Sequence, residues 1–230
     1  ENLNQISKTA FFYQILASAN EIMISEKDPN KIISIVIKLI SNMPQIRLGL
    51  VVINNKLVDW WVKSEFQLKA LKLALRGRNK KLFYSNILQK VMETNDKVVE
   101  NHFITSKKYA ESSDFSRQLG LECCVAFPIR AHSKPLGAFI IFGAYDAFNA
   151  DTLELLQNLV NNLSNKLYII KLESLRLKNK KKIEFLAYND ALTQISNRAF
   201  FEKRLSQMIA VLNRSNRKIA LMIMDLDDFK

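Results

Sequence analysis

The chain has 230 residues, enough for one large or two small domains. Its 48% hydrophobic content, five glycines and four prolines exclude a collagen-like or loop-dominated protein, and no apolar run approaches the roughly 20 residues that span a bilayer. The net charge is +12, half of it in residues 171–230 (13 basic, 7 acidic); that sign favours anionic partners, but no reading motif accompanies it, so nucleic acid is not expected.

Residues 1–24 read as an amphipathic helix, with Leu3, Ile6, Ala10, Tyr13 and Ala17 at steps of three and four. The opening ENLNQISK lacks the build of a signal peptide and an initiator Met, so the sequence reads as cut from a longer one. After the loop SEKDPN, Asp28 caps a second helix that starts at Pro29. Ile32, Ile33, Val36, Ile37 and Ile40 form its apolar face. The period then changes. RLGLVVI and KLVDWWV flank Asn54-Asn55, a hairpin turn. SEFQLKALKLALR (64–76) is helical again, and Gly77 stops it. ECCVAFPIR (122–130) and LGAFIIFGA (136–144) form a second strand pair joined by the turn AHSKP.

From Asn149 the pattern is helical and long. Leu153, Leu156, Val160, Leu163, Leu167, Ile170, Ser174 and Leu177 follow a heptad seam, whose register fails at Lys181 inside the run Lys178–Lys182. A helix packed on its own domain is the plain reading. The length of the seam favours a parallel dimer, and the lysine run is a solvated linker face.

Three features invite functional readings. Cys123 and Cys124 are adjacent, so they form no disulfide framework and suit a reducing cytosol. Strand alternation puts one inward and one outward. A redox or chromophore role competes with the commoner one of a small buried hydrophobe. His102 and His132 have no cysteine or acidic cluster at metal-ligand spacing. Lys69, Lys72, Arg76, Arg78, Lys80 and Lys81 can receive an anionic nucleotide, or simply form the wet side of a helix whose dry side is Leu68, Leu71 and Leu75.

The order of these elements, and above all CCVAFPIRAHSKPLGAFIIFG, resembles a GAF domain over about residues 10–170. A PAS domain is the competitor, with fewer helices before its first strand. The GAF resemblance implies an antiparallel sheet with helices on one side and a small-molecule pocket on the other, its ligand unknown.

Residues 187–230 carry two further motifs, DALTQISNRAFF and, after an apolar strand IALMIM, DLDDFK. These resemble the opening of a GGDEF domain, the catalytic domain of diguanylate cyclases, with Gln194 in place of a glycine and Ile195 in place of a leucine. Gln194 is expected to strain or re-route the turn. A strand end fixes a carboxylate, and Mg²⁺ takes hard oxygen ligands. The resemblance implies metal ligands in Asp225 and the Leu226 carbonyl, and triphosphate contacts from the amides of Asp228 and Phe229 and from Lys230. It also implies a guanine-pocket role for Leu192 and a structural pair of Asp190 with Arg198. The GG[D/E]EF signature is absent from the chain, so no catalytic residue is assigned.

The expected fold class is α+β: a GAF-like antiparallel sheet flanked by helices, a long connector helix, then the first helix and strand of an incomplete GGDEF domain. The boundaries are 1–24 for the N-terminal helix, 25–150 for the sensory domain, 151–186 for the connector and 187–230 for the GGDEF segment. The resemblance implies a parent cyclase making cyclic di-GMP from two GTP, with Mg²⁺, as a cytoplasmic homodimer that this chain truncates. Alternatives are a non-catalytic nucleotide receptor with a degenerate GGDEF domain, or a sensory module feeding a downstream phosphodiesterase.

Overall fold

The computed structural model describes residues 2–65, 68–69, 71–72, 82–105, 116–117, 119–215 and 218–225. It divides into two compact units, 1–172 and 173–230.

The first unit begins with α1 (Asn2–Ser25) and α2 (Pro29–Ser41). The link between them is closed by the Glu26 carboxylate, which accepts from the amides of Lys27 (2.8 Å) and Asp28 (2.9 Å). Asp28 then caps α2 by accepting from the Asn30 amide at 2.9 Å, and Pro29 supplies the fixed φ of a first helical turn. Strands β1 (Ile46–Ile53) and β2 (Lys56–Val62) follow, joined by Asn54 (φ 51°) and Asn55 (φ 59°). Two successive positive φ values are what a tight hairpin turn requires, and asparagine tolerates them.

Next come α3 (Leu82–Thr94), β3 (Val98–Glu100), β4 (Cys123–Ala131) and β5 (Lys134–Gly143). The five strands make one antiparallel sheet in the order β2-β1-β5-β4-β3. The expected α+β class and both expected hairpins are therefore present. The helix α3 and the strand β3 fall in a stretch with no clear period.

Each face of the sheet is covered. On one, Val51, Val125, Phe127, Phe139 and Ile141 pack with α1, α2 and the first half of α4 (Ala150–Tyr188). On the other, Leu48, Leu50, Val52, Ala126, Ile140 and Phe142 pack with Ile87 and Val91 of α3 and with Leu71 and Phe103. The sheet is thus flanked by helices as expected, and α3 backs the face on which the resemblance implied a small-molecule pocket.

Double coverage corrects the cysteines. Alternation does send Cys123 and Cys124 to opposite faces, but both are buried, because the outward face meets the second core and not water. The expected face of α1 is corrected as well. Ala10, Tyr13 and Ala17 are exposed, while Ile15, Ala19 and Met23 are buried against the first core. The i, i+4, i+8 set Ile15, Ala19 and Met23 is the stripe that belongs to the first core.

The seam along α4 divides. Leu156, Val160 and Leu163 are buried, and Leu153, Leu167 and Ile170 pack at the edge of the same core. The plain reading holds for this half. Residues 171–187 are exposed throughout, Lys178–Lys182 included.

The second unit holds the end of α4, a turn, and α5 (Arg198–Ser215). Residues 218–225 are exposed and form no strand, which corrects the strand expected over 220–224. A β-strand needs a hydrogen-bonded neighbour, and no described residue offers one.

Close approach of β1 and β5 makes one glycine indispensable. A Cβ on Gly137 would stand 1.9 Å from the Val52 carbonyl oxygen, whereas one on Gly49 would meet Phe139 at an ordinary 3.7 Å. Gly137→Ala is expected to cost about 3 kcal/mol, because backbone must move. Gly49→Ala is expected to change stability by less than about 1 kcal/mol. Urea midpoints of the two variants check the contrast.

Candidate functional site

Residues 187–200 form a closed turn built from short side chains. The Asp190 carboxylate accepts from the amides of Leu192 (3.2 Å) and Thr193 (2.9 Å) and from the Thr193 hydroxyl (2.8 Å). These bonds favour the charged form and hold the carboxyl below its usual range, the Thr193 amide first. The backbone closes around it: Gln194 N donates to Asp190 O (2.9 Å), Asp190 N to Ile195 O (2.8 Å) and Asn197 N to Tyr188 O (2.9 Å). Asn197 ties both sides. Its Nδ2 donates to Ala187 O at 3.0 Å, and its Oδ1 caps α5 by accepting from Phe200 N at 3.0 Å. Tyr188 stacks edge-on with Phe200, and Lys203 Nζ lies 4.4 Å from the Tyr188 ring centroid.

The expected pair of Asp190 with Arg198 is absent and is corrected. Arg198 Nε donates to Glu202 Oε1 at 2.7 Å, one helical turn ahead, which raises the guanidinium pKa further. An aspartate two and three residues before free amides satisfies itself locally. Asn197, the residue that does fasten the turn, belongs to the same motif. Its signal was the N-cap position, one residue before the first helical residue.

Gln194, where the resemblance has glycine, sits at φ 60°. A residue with a Cβ is disfavoured there, so the expected strain is localised to this position. Leu192 is 90% exposed, with no pocket wall against it among the described residues. Asp225 is exposed at the end of the segment after α5. Leu226, Asp228, Phe229 and Lys230 lie outside the described residues. Among the described residues no cluster of three histidines, cysteines or acids forms a metal site.

In the first unit, burial pushes both thiols up, Cys124 well above the ordinary value. Cys123 Sγ donates to the Ala144 carbonyl at 2.6 Å. Protonated, buried thiols are poor nucleophiles, which leaves the reading of small core residues. His102 and His132 are exposed, and His132 (φ 59°) forms the β4–β5 turn. Lys69 and Lys72 are exposed and Leu71 is buried, the wet and dry sides expected of that helix. Leu75, Arg76, Gly77, Arg78, Lys80 and Lys81 lie outside the described residues.

Residues 187–230 match the family model described as "Diguanylate cyclase, GGDEF domain". A 50-residue stretch is 40% identical to the probable diguanylate cyclase DgcE of Escherichia coli K12, covering 22% of this chain and 4% of that protein. The chain thus spans a small part of that relative. Among solved structures, a GAF domain from Synechocystis sp. PCC6803 in its photoproduct state is similar at a TM-score of 0.53 and 15% identity, over 64% of this chain and 98% of that one. The inactive-state GAF domain of A. aeolicus nlh2 is similar at 0.51 and 14% identity, over 72% and 98%. The GAF region of a membrane protein from Geobacter sulfurreducens reaches 0.50 and 16%, over 65% and 99%. The N-terminal region therefore has the GAF fold, and a segment that matches the GGDEF model follows it.

Two outcomes test the turn. Gln194→Gly relieves the left-handed strain, of order 1 kcal/mol, and is expected to slow hydrogen exchange at the Asn197 amide by up to about fivefold. The Asp190 carboxyl is lower in the folded turn than in the open chain. Its contribution is thus complete above the ordinary carboxylate pKa and is lost as pH falls through the lowered one. The Thr193 amide shift in an NMR titration should move only below the range in which free aspartate titrates.

Proposed function

We propose that this chain is the sensory and connecting region, with the opening of the catalytic domain, of a diguanylate cyclase that makes cyclic di-GMP from two GTP. The match of residues 187–230 to the GGDEF model carries this reading. The closed turn around Asp190 and Asn197 supports it, because it shows DALTQISNRAFF folding into a defined unit. The GAF fold upstream supports a regulatory role for residues 25–150, with a ligand of unknown identity, and a connecting role for 151–186.

Asp225 and the Leu226 carbonyl would hold Mg²⁺. A carboxylate and a carbonyl are hard oxygen donors, the type that ion takes, and the ion would neutralise substrate phosphate charge. Asp228, Phe229 and Lys230 would contact triphosphate and Leu192 the guanine. Two GTP must meet, so the active form is a parallel homodimer. The exposed Leu172, Leu175, Ile183 and Leu186 at the end of α4 support that pairing. A ligand that changes the packing of α4 on the sheet would change the register of that pair. No helix among the described residues is long and apolar enough to cross a membrane, and the free cysteines suit a reducing cytoplasm.

The experiment is a cyclase assay on the natural protein that contains this chain, with GTP and Mg²⁺, reading cyclic di-GMP by chromatography. Asp225→Ala is expected to lower product formation at least about a hundredfold, the usual scale for loss of a metal grip. Equal synthesis by wild type and variant would overturn the metal role. Binding of GTP or cyclic di-GMP with no turnover would overturn the cyclase reading in favour of a receptor.

A further inference from the structure

Where the two hairpin turns meet α2 and α4, the first unit has a cleft of about 400 Å³. Its walls divide by chemistry. Ile33, Ile129 and Leu167 give an apolar base, with Ile33 and Ile129 buried. Three cations, Lys56, Arg130 and Lys171, also line it, and no acid does. The two acids next in sequence to the lining are engaged elsewhere, Asp28 as the α2 cap and Asp59 in accepting from the Ser34 hydroxyl.

Arg130 is fixed without being neutralised. Its Nε donates to Asn95 Oδ1 at 3.1 Å and its Nη2 to the Asn95 carbonyl at 2.6 Å. Asn95 is itself tied, donating from Nδ2 to Ser133 O at 2.9 Å. Both partners of the guanidinium are uncharged, so its full positive charge is held in place at a water-accessible apolar cleft. A fixed cation loses little entropy on meeting an anion, and an apolar base rewards a ligand that also carries hydrocarbon. The volume lies in the range of small-ligand sites.

We propose that this cleft binds a small amphipathic anion, a carboxylate with a medium-length hydrocarbon body. The carboxylate meets Arg130 with Lys56 and Lys171, and the body lies on Ile33, Ile129 and Leu167. The ligand touches α2, both hairpins and α4 at once, so it clamps the segment of α4 that leaves the core. The proposal concerns binding in the first unit alone and stands apart from the cyclase reading.

The test is calorimetric titration of the chain with decanoate and with decanol, which shares the hydrocarbon but not the charge. Decanoate is expected to bind one per chain and at least about tenfold more tightly than decanol. The double variant K56E/K171E, at two exposed positions, is expected to weaken decanoate about tenfold or more with an unchanged circular dichroism spectrum. Val58→Trp, which fills the cleft from its half-open wall, is expected to remove binding of both probes. Equal affinity for decanoate and decanol, undiminished binding by K56E/K171E, or no saturable binding overturns the proposal. So does a titration whose heat follows dissociation of a dimer in sedimentation velocity, because the cleft would then belong to a contact between copies.

Discussion

The structure depends on a sheet that never meets water in its centre. Strands β1, β4 and β5 lie inside the five-stranded order, and helices or loops back both of their faces. A strand in that position must be apolar at every residue, not at every second one. LGLVVI, CCVAFPI and FIIFG meet the demand, and their large buried side chains are where most of the hydrophobic stabilisation resides. The same demand explains why both adjacent cysteines are buried. Each fills a small apolar position on its own face, and desolvation keeps each thiol protonated.

The long helix α4 inherits its character from that sheet. Up to Ile170 its apolar side chains, Ile169 excepted, serve the domain's own core, and residues 171–187 are all exposed. One periodic pattern thus serves two environments. A heptad pattern reports only that a helix has an apolar stripe, and both a sheet face and a second helix can cover such a stripe. The helix is continuous across that change.

What could be read beforehand follows from how local each cause is. The start of α2 was legible because Asp28 and Pro29 act within one turn, and the β1–β2 hairpin because Asn54-Asn55 tolerate the φ values a short turn imposes. Elements that depend on partners were not. The three-residue β3 exists only because β4 offers it an edge, and VVE has no period to read. Which face of α1 is buried depends on where α2 lies, so Tyr13 and Ile15 could not be ranked from spacing alone. The segment 220–224 has strand composition but no strand neighbour among the described residues, and composition without a neighbour does not make a strand.

The GGDEF-like segment shows the same rule from the other side. Its residues 187–200 are largely exposed, yet their geometry is closed by bonds that span ten residues or fewer. Asp190 and Asn197 satisfy backbone groups within the motif and the Thr193 hydroxyl donates to the Asp190 carboxylate, so the turn is closed by local bonds. Arg198, by contrast, found its partner in Glu202 because a helix places residues four apart side by side. That division separates the two kinds of residue in the motif. Those that make the turn are fixed by short-range chemistry already present, whereas Leu192 and Asp225 take no part in the turn's bonds and are exposed.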